Sequence, residues 1–221
     1  MNESKITLSP RLQIVASSII GGVVADIGTD HAYLPIAIIQ QDICAKVIAC
    51  DLNLGPLSIA KKNIEAVGLT NKIEIRHGDG LSPLRPGEAD CIVITGMGGM
   101  LIWKIISNGM AQAKQSRLIM QPQHDIPLLR QKLHSAGFCI LDEDLVQEKD
   151  HFYVSIVAVH SGDNICWSER EYFLGKKLIE KGGKDFLSYI MTKRKKIKSY
   201  ILQIRDEESL IAAKKQLEWL D

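Results

Sequence analysis

The amino-acid sequence predicts a doubly wound, seven-stranded α/β sheet followed by a helical hairpin. Three observations carry this. Short apolar runs alternate with stretches of helical period over residues 1–161, the pattern of repeated βα units. Several of those runs end in glycine- or acid-bearing turns, and in open parallel sheets ligands dock at the carboxyl ends of strands. Beyond Gly162-Asp163-Asn164 the strand-like runs stop and only a helical period remains.

Leu8-Ser9-Pro10-Arg11-Leu12 opens a first helix. Ser9 suits its N-cap and Pro10 its first turn, and Leu12, Val15, Ala16 and Ile19 share one face. Gly21-Gly22 ends it before a first strand over 23–27. A crossover helix is expected over 32–40 and a second strand over 46–50. A helix follows with the stripe Leu57, Ala60, Ile64 and Val67, stopped by Gly68. A third strand over 72–76 leads into the turn His77-Gly78-Asp79-Gly80. Cys91-Ile92-Val93-Ile94 is continuously apolar, as a central strand buried on both faces should be. After Thr95-Gly96-Met97-Gly98-Gly99 comes a helix carrying Leu101, Ile102, Ile105 and Ile106, then a strand over 117–120 and a helix over 128–135. The last two strands, 138–145 and 152–160, are separated by Gln147-Glu148-Lys149-Asp150, which predicts an antiparallel hairpin.

In the remainder, positions 187, 190, 194, 197, 201 and 204 repeat at alternating spacings of 3 and 4 and are apolar except Arg194. Leu210, Ala213, Leu217 and Leu220 continue the rhythm after Arg205-Asp206-Glu207-Glu208. This is the signature of a helical hairpin or short coiled coil. The expected division is a sheet domain over 1–161 and a helical domain over 162–221.

A length of 221 residues suits one α/β domain with an appendage better than two equal domains. With 46% hydrophobic and 24% charged residues the chain reads as globular. No apolar run approaches the roughly 18 residues of a membrane span, and no signal peptide opens the chain. Cys44, Cys50, Cys91, Cys139 and Cys166 form no CxxC pair, so reduced thiols in a cytoplasmic protein are expected, with no metal site. Residues 1–160 carry 14 Lys/Arg against 16 Asp/Glu, and residues 161–221 carry 13 against 10. A polyanion would meet the C-terminal part first, where Lys193-Arg194-Lys195-Lys196-Ile197-Lys198 is the densest positive run. That run reads as an RNA phosphate contact, with a solvated helix face as the alternative.

The candidate site lies at the strand ends. Gly28 follows the first strand, where backbone must pass close to a ligand. The turn continues Thr29-Asp30-His31 and lacks the G-x-G-x-x-G fingerprint that frames a pyrophosphate. This weighs against a nicotinamide dehydrogenase and favours a cofactor without phosphate, such as S-adenosyl-L-methionine. Asp51 ends the second strand, where a carboxylate can take both ribose hydroxyls. Asp26 sits in an otherwise apolar strand and needs a partner, such as neighbouring backbone or an ammonium group. Asp79 is placed to accept from an adenine amino group, or to make an Asx turn. Three glycines in Thr95–Gly99 allow crowding where cofactor and acceptor meet, and Met97 can lie against a flat base. Gln121-Pro122-Gln123-His124 brings amides to the same edge. Asp30 and His31 are the sharpest reaction-centre candidates, against a plainer reading in which Asp30 caps the next helix and His31 satisfies a local carbonyl. Tyr33 either stacks on a base or packs on the sheet.

The blocks Asp30-His31-Ala32-Tyr33-Leu34-Pro35 and Gly96-Met97-Gly98-Gly99, with Leu8–Arg11, Gly55-Pro56 and Gln121-Pro122, resemble those of the bacterial tRNA (adenine(22)-N1)-methyltransferases. The resemblance covers residues 5–160 well and the helical part in kind. It implies a Rossmann-like methyltransferase sheet, S-adenosyl-L-methionine as methyl donor, and transfer to N1 of an adenosine in the D-arm region of tRNA. It implies cofactor contacts at Asp26, Gly28, Asp30 and Asp51, and the residue reading adds Thr29, Leu52, Asp79, Gly80, Thr95 and Gly96. Asp30, His31 and Met97 are the expected reaction-centre residues. Tyr33, Gly98, Gly99, Gln121, Pro122 and Gln123, with Lys193, Arg194, Lys195, Lys196 and Lys198, are the expected substrate contacts. Thr29 stands where the family has serine and Gln123 where asparagine is common. Other expectations to be weighed are a different RNA base or a small molecule as acceptor, and an RNA-binding protein without catalysis. The expected species is a monomer acting on tRNA rather than DNA, with pairing through the C-terminal helices as the alternative.

Overall fold

A computed structural model describes residues 6–220. In chain order the first part holds α1 (Pro10–Ala16), β1 (Val23–Ile27), α2 (Tyr33–Gln40), β2 (Lys46–Asp51), α3 (Leu54–Ala66), β3 (Ile73–His77) and β4 (Cys91–Met97). It continues with α4 (Gly99–Asn108), α5 (Met110–Ala113), β5 (Arg117–Pro122), α6 (Ile126–Ser135), β6 (Phe138–Glu148) and β7 (His151–His160). The sheet runs β3-β2-β1-β4-β5-β7-β6. β1 to β5 pair in parallel, and β7 is antiparallel to both β5 and β6. The strand order reverses between β1 and β4, which puts a crevice at their carboxyl ends.

Continuous apolar runs build the centre. Val24, Ala25, Ile92, Val93 and Ile119 are fully buried, because helices cover both faces of the parallel strands. Ile36, Ile39 and Ile64 of α2 and α3 join Val24, Val47 and Val93 in one core. Each such side chain contributes about 1.5–3 kcal/mol relative to exposure. This rigid floor fixes where the strands end.

Two expectations change. Gln147 and Glu148 are not loop residues: they pair with Phe152 and His151, so β6 runs to Glu148 and the turn is only Lys149-Asp150. β6 is an edge strand, where alternating charged side chains are compatible with pairing, and Glu148 is further held by accepting from the Arg11 N–H at 3.1 Å. The four-residue α5 has no counterpart among the elements expected from the sequence.

The chain divides into two compact units after Ile165. The second holds α7 (Glu169–Leu174), α8 (Lys176–Lys181), α9 (Lys184–Ile201) and α10 (Glu207–Glu218). α7 opens on a capping box, Ser168 with Glu171. α9 and α10 pack against each other. Ile190, Arg194, Ile197, Ile201 and Ile204 of the predicted stripe are half-buried, but Leu187 is exposed and Phe186 and Tyr189 are buried instead.

Candidate active site

β1 gives way at Gly28, whose φ is 75°. The N–H groups of Gly28 and Thr29 both donate to the Cys50 carbonyl, at 2.9 and 3.0 Å, so the turn is pinned to β2. Asp30 and Ala32 also hold positive φ, 51° and 58°, conformations that cost a non-glycine residue about 1–2 kcal/mol. The Asp30 N–H then donates to Asp51 Oδ2 at 3.3 Å, and the Asn53 N–H donates to Asp51 Oδ1 at 2.8 Å. Asp51 is thereby oriented by two loops.

These strand ends surround an open cavity of about 520 Å³, within the range of small-molecule sites. Its wall includes four aspartates, Asp26, Asp30, Asp51 and Asp79. Asp26 is buried, and burial pushes its carboxyl up to about 6, with Thr29 acting the other way and Asp51 adding to the rise. A cationic ligand would draw it back to the ionised form. Tyr33 and Leu52 stand exposed on the rim, while Leu101 and Ile105 of α4 add an apolar side. The wall suits a ligand with a flat apolar part, vicinal hydroxyls and positive charge.

On the far side, the β4–β5 register slips between Thr95 and Met97, with Gly96 at φ 75°. This bulge turns Met97 over Gly28. Asp30 and His31 share the wall, with Asp30 Oδ1 3.7 Å from His31 Nε2. The His31 carbonyl accepts from Asn63 Nδ2 at 2.9 Å, and its ring meets Tyr33 edge-on at 5.7 Å. Neither plain reading of this pair is seen. The N-cap of α2 is Ala32, without a side-chain cap. His31 Nδ1 is buried with no hydrogen-bond partner among the described residues, a vacancy that a ligand at this wall can satisfy.

Comparison with known proteins places this geometry. Residues 8–156 match the family model described as a methyltransferase domain. The chain is 41% identical over 165 residues to the tRNA (adenine(22)-N(1))-methyltransferase of Bacillus subtilis, covering 74% of this chain and 68% of the relative. The chain belongs to the tRNA (adenine(22)-N1)-methyltransferase family.

The crystal structure of B. subtilis TrmK, the m1A22 tRNA methyltransferase, superposes with a TM-score of 0.87 at 32% identity, covering 98% of each chain. Streptococcus pneumoniae Sp1610 in complex with S-adenosyl-L-methionine gives a TM-score of 0.88 at 29% identity, covering 97% of this chain and 98% of that one.

Every candidate cofactor residue named from the sequence lines this cavity: Asp26, Gly28, Thr29, Asp30, Asp51, Leu52, Asp79, Gly80, Thr95 and Gly96. So do His31, Tyr33 and Met97. Among the candidate substrate residues of the sheet domain, five do not. A Cβ on Gly98 would fall 2.2 Å from the His124 ring, and one on Gly99 would fall 2.8 Å from the Asp125 carbonyl. Those glycines therefore serve the approach of the loop after β5. Gln121 and Pro122 are buried, and Gln121 spends its amide on Arg11. Gln123 is exposed outside the cavity, its N–H donating to the Met97 carbonyl at 2.9 Å.

On α9, Lys195, Lys196 and Lys198 are exposed, while Lys193 and Arg194 are half-buried. The Lys193 ammonium sits 4.6 Å from the Phe173 ring and 4.9 Å from the Tyr189 ring, a cation–π clamp. Arg11, Asn53, Leu101 and Ile105 are wall residues that the sequence alone does not mark out. The nearest signal is at Arg11, inside the Leu8–Arg11 block.

Proposed function

We propose that this chain transfers the methyl group of S-adenosyl-L-methionine to N1 of adenosine 22 in tRNA. One observation carries the reading: the Asp26–Tyr33 and Thr95–Met97 turns meet at one acidic cavity in a chain 41% identical to a B. subtilis enzyme of that name. The wall fits the cofactor. Four carboxylates line it; Asp51 would take the ribose hydroxyls, and the remaining acidic wall would hold a ligand that carries a sulfonium and an ammonium. The absence of a glycine-framed phosphate cradle suits a ligand without phosphate.

When bound, S-adenosyl-L-methionine supplies an electrophilic methyl group whose bonding electron pair leaves with sulfur. Adenine N1 brings its own lone pair, so the surrounding residues have to align and desolvate rather than remove a proton. The alkylated ring gains a positive charge, and we assign Asp30 to stabilise it. His31, Tyr33 and Met97 orient the base, and the Gly96 turn lets backbone approach it. N1 lies on the pairing edge, so the target base must first be freed from its partners. Lys193, Arg194, Lys195, Lys196 and Lys198 supply positive charge for the tRNA backbone.

In this reading the chain works as a cytoplasmic monomer on tRNA rather than DNA. The packing of α10 along α9 within one chain supports the monomer.

The test is incubation with labelled S-adenosyl-L-methionine and unmodified bulk tRNA, followed by digestion and mapping of the labelled nucleoside. N1-methyladenosine at position 22 is the expected result. Label at another base would keep the cofactor and overturn the acceptor. Cofactor binding without transfer to tRNA would redirect the reading to a small molecule, and RNA binding without cofactor binding to a non-catalytic role.

A further inference from the structure

Residues 78–90 join β3 to β4 without forming a helix or strand, yet they carry Gly78, Asp79 and Gly80 of the cavity wall. A segment of that length has no ladder of its own, so its shape depends on tertiary contacts. Leu81 and Leu84 are buried and anchor its inner side. Its outer side is held by one residue of the edge strand, Arg76 of β3.

Arg76 places four of its five N–H groups on named acceptors. Nε donates to Glu74 Oε1 at 2.7 Å. Nη1 donates to the Pro83 carbonyl at 2.9 Å and to Glu88 Oε2 at 2.8 Å, and Nη2 donates to Glu88 Oε1 at 2.6 Å. The Glu88 contact is the two-pronged pairing that a planar guanidinium makes with a carboxylate. Glu74 is braced in turn by Lys46 of β2 at 2.6 Å, and Glu88 Oε2 also accepts from the Arg85 N–H at 2.9 Å. The Arg76 and Glu88 side chains are only 21% and 24% exposed, which shields them better than an open surface pair. Hydrogen bonds from Arg76 above all hold the Glu74 and Glu88 carboxyls down to about 2, so the clamp is charged at neutral pH.

The path from clamp to cavity is short. A Cβ on Gly78 would fall 2.5 Å from Cγ of Pro83, so Pro83, tied by its carbonyl to Arg76, backs directly onto Gly78. The Gly78 N–H donates to the Asp51 carbonyl at 3.1 Å, and the Ser82 N–H closes the turn onto the Asp79 carbonyl at 3.1 Å. Asp79 is thus bracketed by two residues whose places depend on Pro83. Arg76, Pro83 and Glu88 do not themselves line the cavity.

We infer that Arg76 is a positioning residue for cofactor binding: through Glu88 and Pro83 it fixes where the Asp79 turn stands in the cavity wall. The inference rests on the cavity being the S-adenosyl-L-methionine site and on no particular pose of the ligand within it.

The experiment is calorimetric titration with S-adenosylhomocysteine of wild type, Arg76→Ala, Arg76→Lys, Glu88→Gln, Asp79→Asn and Arg76→Ala/Asp79→Asn, with a thermal melt of each. Arg76→Ala and Glu88→Gln should weaken binding about fivefold to thirtyfold, between the scales of an exposed pair and a charge-assisted hydrogen bond. Arg76→Lys, which keeps the charge and loses the fork, should recover part of the affinity. In the Asp79→Asn background, Arg76→Ala should weaken binding by less than about twofold more, because residues acting through one another are not additive. Single-turnover methyl transfer at saturating cofactor should stay within about twofold of wild type in Arg76→Ala, the loss being one of binding. A residue that merely stabilised the fold would weaken both backgrounds alike, and that result would overturn the inference. Wild-type affinity in Arg76→Ala, with only the Tm lowered, would overturn it too, as would wild-type affinity in Asp79→Asn. If the wild-type protein does not bind S-adenosylhomocysteine, the cofactor reading itself falls and the inference with it; wild-type binding that Arg76→Ala leaves intact sinks the inference alone.

Discussion

The Cε of Met97 lies 2.3 Å from the point that a Cβ on Gly28 would occupy. The two residues belong to different turns, one after β1 and one at the β4 bulge, and the flexible end of Met97 occupies the room that the missing Gly28 side chain leaves. Gly28 supplies the space and the positive φ, and Gly96 supplies the bend that brings Met97 across. The cavity wall is closed between β1 and β4 by this contact.

Gly28→Ala therefore carries two separable penalties. The positive φ costs about 1–2 kcal/mol in the free protein, and the displaced Met97 side chain must move within the cavity. We expect a lower Tm and a cofactor Kd raised about tenfold or more, each 1.4 kcal/mol being a factor of ten. In Gly28→Ala/Met97→Ala the collision is gone, so much of the affinity should return while the Tm deficit stays. A double variant that binds no better than Gly28→Ala would show that Met97 is not the obstacle.

Asp26 sets a pH dependence. Its carboxyl is raised from 3.8 to about 6 chiefly by burial, so the folded chain holds a proton that the unfolded chain has released. The ligand-free protein accordingly loses stability as pH rises through the window from about 4 to about 6, by up to about 3 kcal/mol at 1.36 kcal/mol per pH unit. Asp26→Asn removes this loss. The variant should gain stability over wild type above pH 6, the gain shrinking toward zero near pH 4, while its cofactor affinity falls. Urea midpoints at four pH values check this, and a gain that does not vary with pH would exclude Asp26 as the titrating group.

The strand ends were legible because buried parallel strands are near-continuous apolar runs, and because Gly28, Asp51 and Asp79 interrupt that pattern where the chain leaves the sheet. Other features depend on distant partners. Gln121 reads as a free amide in sequence, but its hydrogen bonds go to Arg11, 110 residues away. Glu148 reads as a loop acid and is a paired strand residue. Gly98 and Gly99 read as cavity glycines because composition does not tell which neighbour fills the missing Cβ, here His124 and Asp125. Lys193 reads as one of a run, and only the folding of α7 brings Phe173 to it.

Glu143 was also hidden, inside an acidic edge strand. It is fully buried, and its Oε1 accepts from Arg130 Nε at 2.6 Å. Removing one partner of such a pair leaves a buried charge, so Glu143→Ala should cost about 3–5 kcal/mol in chemical denaturation. Arg130→Met/Glu143→Met should recover most of that loss. A double variant as unstable as Glu143→Ala would mean that the site needs polarity and not merely charge balance.

Clamped Lys193 and exposed Lys195, Lys196 and Lys198 predict different phenotypes. Lys195→Ala/Lys196→Ala/Lys198→Ala should weaken tRNA binding and flatten the plot of log K against log salt by about 2 units, roughly 0.7–0.9 for each phosphate that is no longer neutralised. Lys193→Ala should alter that slope little and destabilise the helical unit by about 0.5–2 kcal/mol. Filter binding across a salt series and thermal melts separate them; an unchanged slope in the triple variant would make the run a solvated face.

Asp30 offers the sharpest test of the chemistry. Its backbone N–H holds Asp51, while its side chain is 67% exposed and touches His31 only at 3.7 Å. Asp30→Asn keeps the backbone bond and the side-chain shape and removes the charge. If that charge stabilises the forming N1-methyladenosinium, single-turnover methyl transfer should slow about tenfold to a hundredfold, below the several-hundredfold effect of a fully buried electrostatic group. Cofactor Kd should change much less, because the loss would be confined to the transition state. Full single-turnover rate in the variant would remove Asp30 from the chemistry. A Kd that rises while the rate constant holds would instead make it a cofactor contact.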